Sequence, residues 1–278
     1  MDIIQHYCAL WSLVPTGEPF ETASSHIVYV QSPDGPAVLK LFKPPGEEAC
    51  SPLALIHYGG EGAVRVIAHD EWAMLTRRAL PRGPLSDLVR AGRDNEATEI
   101  LCTVAAALHA RGAAGGNWTT VEDWGAGFER HQQSAWAACL PSEIVGEARR
   151  IFLDLCHSQS KRVLLHGDLH HDNIVYDEQL GWLSTDPKGV LGESEYELCA
   201  ALRNPAGLSE VFTDPDVMRR RVWTMCGRLG VEPARVLRWC FAQAVLSAVW
   251  SVEDGFLDAD IVPLLEVANV SRALLQTS

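Results

Sequence analysis

Asp168 is followed five residues later by Asn173, and Asp186 lies further on in the same stretch. Transfer of a terminal phosphoryl group needs its developing charge neutralised, usually by Mg²⁺ held through carboxylate and amide oxygens. It also needs an acceptor hydroxyl oriented for in-line attack. A carboxylate and an amide at this separation put one group on the acceptor and the other on the metal. The second aspartate completes the metal site.

The surrounding sequence says how these residues are brought together. Val163 to Leu165 and Ile174 to Tyr176 are short apolar runs flanking a polar, glycine-containing segment, and a third run begins at Trp182. Short apolar runs separated by polar loops read as strands. Asp177-Glu-Gln-Leu-Gly181 is a turn, so the second and third runs are expected to pair as a hairpin. All three strands are expected in one small sheet, with Asp168, Asn173 and Asp186 at one end of it.

The spelling is more specific than the chemistry alone. His166-Gly167-Asp168 resembles the kinase catalytic loop, with Gly in place of the usual Arg. Leu165-His-Gly-Asp-Leu-His-His-Asp-Asn-Ile174 and the segment Trp182 to Gly192 resemble the aminoglycoside phosphotransferase family. Within it they are most similar to streptomycin 6-phosphotransferases and hydroxyurea kinases. The resemblance implies a bilobal, protein-kinase-like α+β fold, with a small β-rich N-lobe and a larger helical C-lobe. It implies ATP in the cleft between them, Asp168 as catalytic base, and Asn173 and Asp186 as Mg²⁺ ligands. The boundary is expected near Pro81-Arg-Gly-Pro84, giving residues 1–80 and 81–278.

Other residues acquire roles by the same route. The alternating stretch His26 to Val30, the turn Ser32-Pro-Asp-Gly35 and the returning run Pro36 to Phe42 form a hairpin. Lys40 on its second strand matches the phosphate-binding lysine of kinases. A helix is expected over Glu47 to Tyr58, closed by Gly59-Gly60, and Glu48 on it is expected to pair with Lys40. No Gly-x-Gly loop precedes Lys40, so Ser24 and Ser25 stand in its place as phosphate contacts. Glu193 and Glu195 follow the metal ligand closely, and acids there suit the ammonium or guanidinium groups of a cationic drug. Trp250-Ser-Val-Glu-Asp254 ends an apolar helix, and Trp250, Glu253 and Asp254 are expected to cap a guanidino sugar.

Bulk properties narrow the alternatives. The 278 residues are 47% hydrophobic with a formal net charge of −13. Such an acidic chain is unsuited to nucleic acid or anionic membranes, which call for basic patches, and it is compatible with a polycationic substrate. No apolar run approaches the ~20 residues a membrane helix needs, and the first residues lack a signal-peptide pattern. A cytoplasmic monomer is expected. The eight cysteines include no Cys-x-x-Cys pair, so buried, reduced thiols are expected.

The sequence therefore reads as an ATP- and Mg²⁺-dependent phosphotransferase acting on a hydroxyl of streptomycin or a related aminoglycoside. Its competitors are a kinase for hydroxyurea, another antibiotic or an amino sugar, and a catalytically inactive nucleotide-binding module.

Overall fold

The structure is a computed structural model that describes residues 3–22, 24–43, 50–81, 83–113, 115–255 and 258–277. The chain begins with helix α1 (Ile3–Leu10) and the short strands β1 (Val14–Pro15) and β2 (Phe20–Glu21). The hairpin β3 (Ser25–Ser32) and β4 (Gly35–Phe42), helix α2 (Ser51–Tyr58), β5 (Val66–His69) and β6 (Ala73–Arg77) follow. The strands form one sheet in the order β1-β3-β4-β6-β5, with β2 on β3.

Strand alternation sorts this sheet into two faces. Leu39 and Leu41 on β4, Val28 and Val30 on β3, and Ala73 and Leu75 on β6 pack with Tyr7 of α1 into one core. The residues between them, Val38 and Lys40, Ile27, and Met74 and Thr76, face the opposite way and line a cleft. Lys40 pairs with Ile27 on one side and Met74 on the other, so it sits in the middle of the sheet.

Beyond the sheet the chain is mostly helical. Helices α3 (Ser86–Arg90), α4 (Asp94–His109), α5 (Val121–Gln133) and α6 (Ser142–His157) follow, with the two-residue strand β7 (Thr119–Thr120) before α5 and a short 3-10 turn (Ala137–Cys139) before α6. Strands β8 (Arg162–Leu165), β9 (Ile174–Asp177), β10 (Gly181–Ser184) and β11 (Val190–Glu193) then lead into α7 (Ser194–Leu202) and α8 (Ser209–Phe212). The chain continues through α9 (Pro215–Leu229), α10 (Pro233–Glu253) and α11 (Asp258–Thr277). Helix α10 is buried almost throughout from Val236 to Val249, which makes it the axis about which the helical part packs.

Several expectations are refined. Helix α5 begins at Val121 because Thr120 caps it. The Thr120 hydroxyl accepts from Asp123 N at 3.1 Å and the Asp123 carboxylate accepts from Thr120 N at 2.8 Å. That reciprocal pair is a capping box, with Asp as the third residue. Helix α2 is seen from Ser51 and closes on Gly59, whose φ of 67° is the left-handed conformation glycine adopts at helix ends. The segment carrying Glu48 lies outside the described residues. The three strands around Asp168 do not share one sheet: β9 and β10 form a two-stranded hairpin, while β8 pairs with β11 in a separate sheet completed by β7. Of the cysteines expected to be buried in helices, Cys139 is exposed, whereas Cys102, Cys199 and Cys240 are buried.

Candidate active site

The β9–β10 hairpin sets two of the three candidate residues side by side. Ser184 pairs with Ile174 at its open end, so Asn173, one residue before β9, and Thr185, one residue after β10, are neighbours. Thr185 N donates to Asn173 O at 2.8 Å. The hairpin is gripped on both sides. Ser184 N donates to Gly62 O at 2.7 Å, and Leu85 N donates to Ile174 O at 2.8 Å. Asp186 follows directly, with a left-handed φ of 59°. Non-glycine residues rarely occupy that region, and aspartate is among the few that tolerate it.

The loop between β8 and β9 supplies Asp168, whose side chain is 30% exposed. Asn173 Nδ2 donates to Asp168 O at 2.9 Å, which turns the amide oxygen of Asn173 away from the loop. His166 is fully buried and joins the two halves of the site. Its Nε2 donates to Thr185 O at 2.7 Å and its Nδ1 accepts from Asp168 N at 3.3 Å. This network selects the neutral Nε2–H tautomer. Burial pushes the His166 pKa below its ordinary value, which keeps it neutral.

Beneath the loop lies Glu197, buried on α7. It accepts from His166 N at 2.6 Å and Gly167 N at 2.9 Å, with His109 Nε2 at 3.6 Å. Gly167 must be glycine: its φ is 84°, and a Cβ would stand 2.9 Å from both Trp124 Cη2 and Val190 Cγ1.

Across the cleft, Lys40 Nζ lies 3.0 Å from Asp186 Oδ1. Lys40 is buried among Ile27, Val38 and Met74 on the sheet side and Val175 below, an apolar slot with polar groups at one end. That arrangement suits a planar base against the sheet and an anionic tail reaching Lys40. The amide oxygen of Asn173 and the carboxylate of Asp186 are both hard oxygen donors. Among the described residues no group of three or more His, Cys, Asp or Glu side chains gathers to hold a metal. Two protein oxygens without a full cage fit Mg²⁺, which keeps its waters and takes the rest of its ligands from phosphates.

Burial would raise the Asp168 pKa, but the neighbouring His170 imidazole and Arg203 guanidinium outweigh it and hold the carboxyl well below the usual range. Asp168 is therefore ionised wherever the protein is folded near neutrality, as a group that accepts a hydrogen bond from an acceptor hydroxyl must be.

The remaining candidates divide. Ser25 is not offered to a phosphate: its side chain is fully buried and its Oγ shares a hydrogen bond with Thr22 Oγ1 at 2.9 Å. Ser24 lies immediately before β3, where its carbonyl accepts from Lys43 N at 2.8 Å. Glu193 is a structural acid. It is buried and accepts from Arg235 Nε at 2.7 Å, Arg235 Nη2 at 2.8 Å and Trp239 Nε1. Its strand position opposite Arg162 puts it at the end of β8 remote from the Asp168 loop. Glu195 sits in the first turn of α7 and accepts from Ser194 Oγ at 3.0 Å. Trp250 packs edge-on against Trp124 with centroids 5.7 Å apart, and Trp124 in turn abuts Gly167, so an indole wall runs from α10 to the Asp168 loop. Glu253 pairs with Arg130 at 3.3 Å, and Asp254 is exposed beyond the helix end.

Glu193→Leu is thus expected to cost stability without touching acceptor binding. Removing one member of a buried pair costs about 3–5 kcal/mol, and the 22% exposure of Arg235 puts this case at about 3 kcal/mol or less. Calorimetry should show a lowered Tm with an unchanged acceptor KM. A raised KM at an unmoved Tm would return Glu193 to the acceptor site.

Two groups were missed by sequence reasoning. Glu197 was visible only as the last acid of Glu193-Ser-Glu-Tyr-Glu197, and nothing in that run marks it as the one beneath the loop. Arg203, whose Nη2 is 3.8 Å from Asp168 Oδ1, carries no motif signal.

Comparison with known proteins agrees with this geometry. Residues 10–255 match the family model described as aminoglycoside/hydroxyurea antibiotic resistance kinase. The chain is 35% identical to a streptomycin 3''-kinase of Klebsiella pneumoniae, over 95% of this chain and 98% of that protein. It is 29% identical to a streptomycin 6-kinase of Streptomyces griseus, over 88% and 80%. In fold it is similar to aminoglycoside phosphotransferase APH(4)-Ia, crystallised with ADP and hygromycin B, with TM-score 0.66 at 14% identity over 100% and 99% of the two chains. The choline kinase LicA of Streptococcus pneumoniae superposes with TM-score 0.65 at 13% identity, over 98% of each chain.

Proposed function

The chain belongs to the aminoglycoside/hydroxyurea antibiotic resistance kinase family, and from that premise we infer that it transfers the terminal phosphoryl group of ATP to a hydroxyl of streptomycin. The observation that carries the reading is the meeting of Lys40 and Asp186 at 3.0 Å across the cleft, with Asn173 and Asp168 on the loop beside them. Lys40 holds the nucleotide phosphates. Asn173 and Asp186 are the residues that would hold Mg²⁺, which when bound neutralises charge on the phosphates. Asp168 accepts a hydrogen bond from the acceptor hydroxyl, aligns its oxygen on the phosphorus, and takes its proton as the new O–P bond forms and ADP leaves.

Trp250 and Trp124 supply aromatic faces beside the loop for a guanidinium group of the drug. Asp254 and Glu253 add negative charge at the end of α10, and Glu253 trades its exposed partner Arg130 for the substrate cation. Among the two streptomycin kinases compared, the higher identity is to the 3''-kinase, which favours the 3''-hydroxyl over the 6-hydroxyl suggested by the sequence motifs.

The test is ADP release by the purified protein over streptomycin, hygromycin B, hydroxyurea and choline, followed by NMR of the product. Turnover with streptomycin and a phosphate at the 3'' position is expected. Turnover of another compound with none of streptomycin would overturn the substrate. A product phosphorylated at position 6 would overturn the regiochemistry alone.

A further inference from the structure

Arg203 stands just past the end of α7, with its guanidinium turned into the site. Its Nη2 is 3.8 Å from Asp168 Oδ1, while His170 Nε2 is 3.6 Å from Oδ2. At those lengths neither contact is a hydrogen bond. Both are near enough for charge to act, and the carboxylate lone pairs stay open to an incoming hydroxyl.

Arginine at a helix end ordinarily extends into water, and this one is held instead. Its side chain is 17% exposed, and its Nε donates to Gln243 Oε1 at 3.1 Å. Gln243 is buried in the middle of α10, among alanines, valines and leucines. A buried carboxamide is costly unless it is hydrogen-bonded, and Arg203 supplies a bond to its oxygen.

The main chain around Arg203 is fixed as firmly. Arg221, buried on α9, donates through Nη1 to the carbonyls of Ala201 at 2.9 Å and Asn204 at 2.7 Å, which flank Arg203. Its Nη2 is anchored on Asp94 Oδ1 at 2.7 Å. Asn204 Nδ2 donates back to Ala200 O at 2.9 Å. Side chain and backbone are therefore both set before any substrate arrives.

We propose that Arg203, held in place by Gln243, is a positioning residue that orients the Asp168 carboxylate toward the acceptor hydroxyl. This rests on the assignment of Asp168 as base. Arg203 moves no proton: the acceptor proton passes to Asp168 as the O–P bond forms and the bond to the departing ADP oxygen breaks. A guanidinium suits the task because it stays charged and its planar fork is rigid. Helix α10 also carries Trp250, two turns beyond Gln243, so one rigid element sets both the base and the indole wall.

The experiment compares wild type with Arg203→Met, Arg203→Lys, Gln243→Leu and Asp168→Asn in the full chain, measuring kcat and both KM values. Arg203→Met should lower kcat roughly 10- to 100-fold, the scale of a slight misalignment of reacting groups, with both KM values little changed. Arg203→Lys should recover part of the loss. Millimolar guanidinium should rescue Arg203→Met and leave Asp168→Asn unaffected. Gln243→Leu should show the same kcat loss in weaker form, and it decides the matter if Arg203→Met does not fold. Wild-type kcat in Arg203→Met overturns the proposal, as does wild-type kcat in Gln243→Leu or a loss carried by KM alone. Failure of the base assignment would look different, because Asp168→Asn itself would then remain active.

Discussion

Asp168→Asn should lower kcat roughly 10²- to 10⁴-fold, the usual contribution of a general base, while nucleotide still binds. The substitution is nearly isosteric, and the main-chain bonds of the loop survive it: Asp168 N still donates to His166 Nδ1, and Asp168 O still accepts from Asn173 Nδ2. What it removes is the negative charge that, in the proposed mechanism, receives the acceptor proton. ADP release with streptomycin gives the rate, and calorimetric titration gives nucleotide affinity. A rate within tenfold of wild type would show that Asp168 is not the base. The pH dependence has a definite sign. A carboxyl held below its ordinary range stays ionised in the folded protein as pH falls through the range of free carboxylates, and its stabilisation of the folded state is present above the ordinary value and lost progressively as pH falls from there toward the depressed one. Asp168 should therefore contribute no acidic limb to the rate profile between about pH 5 and 8.

Glu197→Ala should cost about 3–5 kcal/mol of stability and abolish most activity. Two buried backbone donors, His166 N and Gly167 N, lose their shared acceptor. Tyr58, also buried nearby, donates its hydroxyl to Leu164 O at 3.4 Å, and burial first and Glu197 second raise its pKa well above the ordinary value. For a chain of this size the loss corresponds to a Tm lowered by roughly 10 °C. Glu197→Gln retains an acceptor oxygen but also presents an amide N–H to backbone donors, so an intermediate deficit is expected. Scanning calorimetry and the ADP assay together decide it: an unmoved Tm for Glu197→Ala would show that the loop does not depend on this acid.

The candidate catalytic residues could be picked out because phosphoryl transfer demands particular oxygen donors at particular separations, and the hairpin beside them advertises itself by its turn. Lys40 was legible because it stands on the returning strand of a hairpin marked by its own turn, Ser32-Pro-Asp-Gly35, where it matches the phosphate-binding lysine of kinases. The acids after Asp186 were not. Glu193, Glu195 and Glu197 are equivalent in the sequence, yet one pairs with Arg235 and Trp239, one lies at a helix start and one supports the loop. The division follows from where β11 ends and α7 begins, which only tertiary pairing sets. A partial signal existed, since Arg235 and Trp239 are four residues apart and share a face of α10, but their partner lies 42 residues away from Arg235. The start of α5 could have been read from Thr120 and Asp123. Arg203 and Gln243 meet across 40 residues with no local pattern to announce either.

The left-handed backbone at Asp186 limits how this enzyme could decay. A lineage that abandoned catalysis would drift there most easily to asparagine or glycine, the other residues at ease with that geometry. Glutamate, though it keeps the carboxylate, would disturb the fold as well as the chemistry. Inactive descendants should thus be recognisable by a small uncharged residue at that position, while the hairpin around it persists.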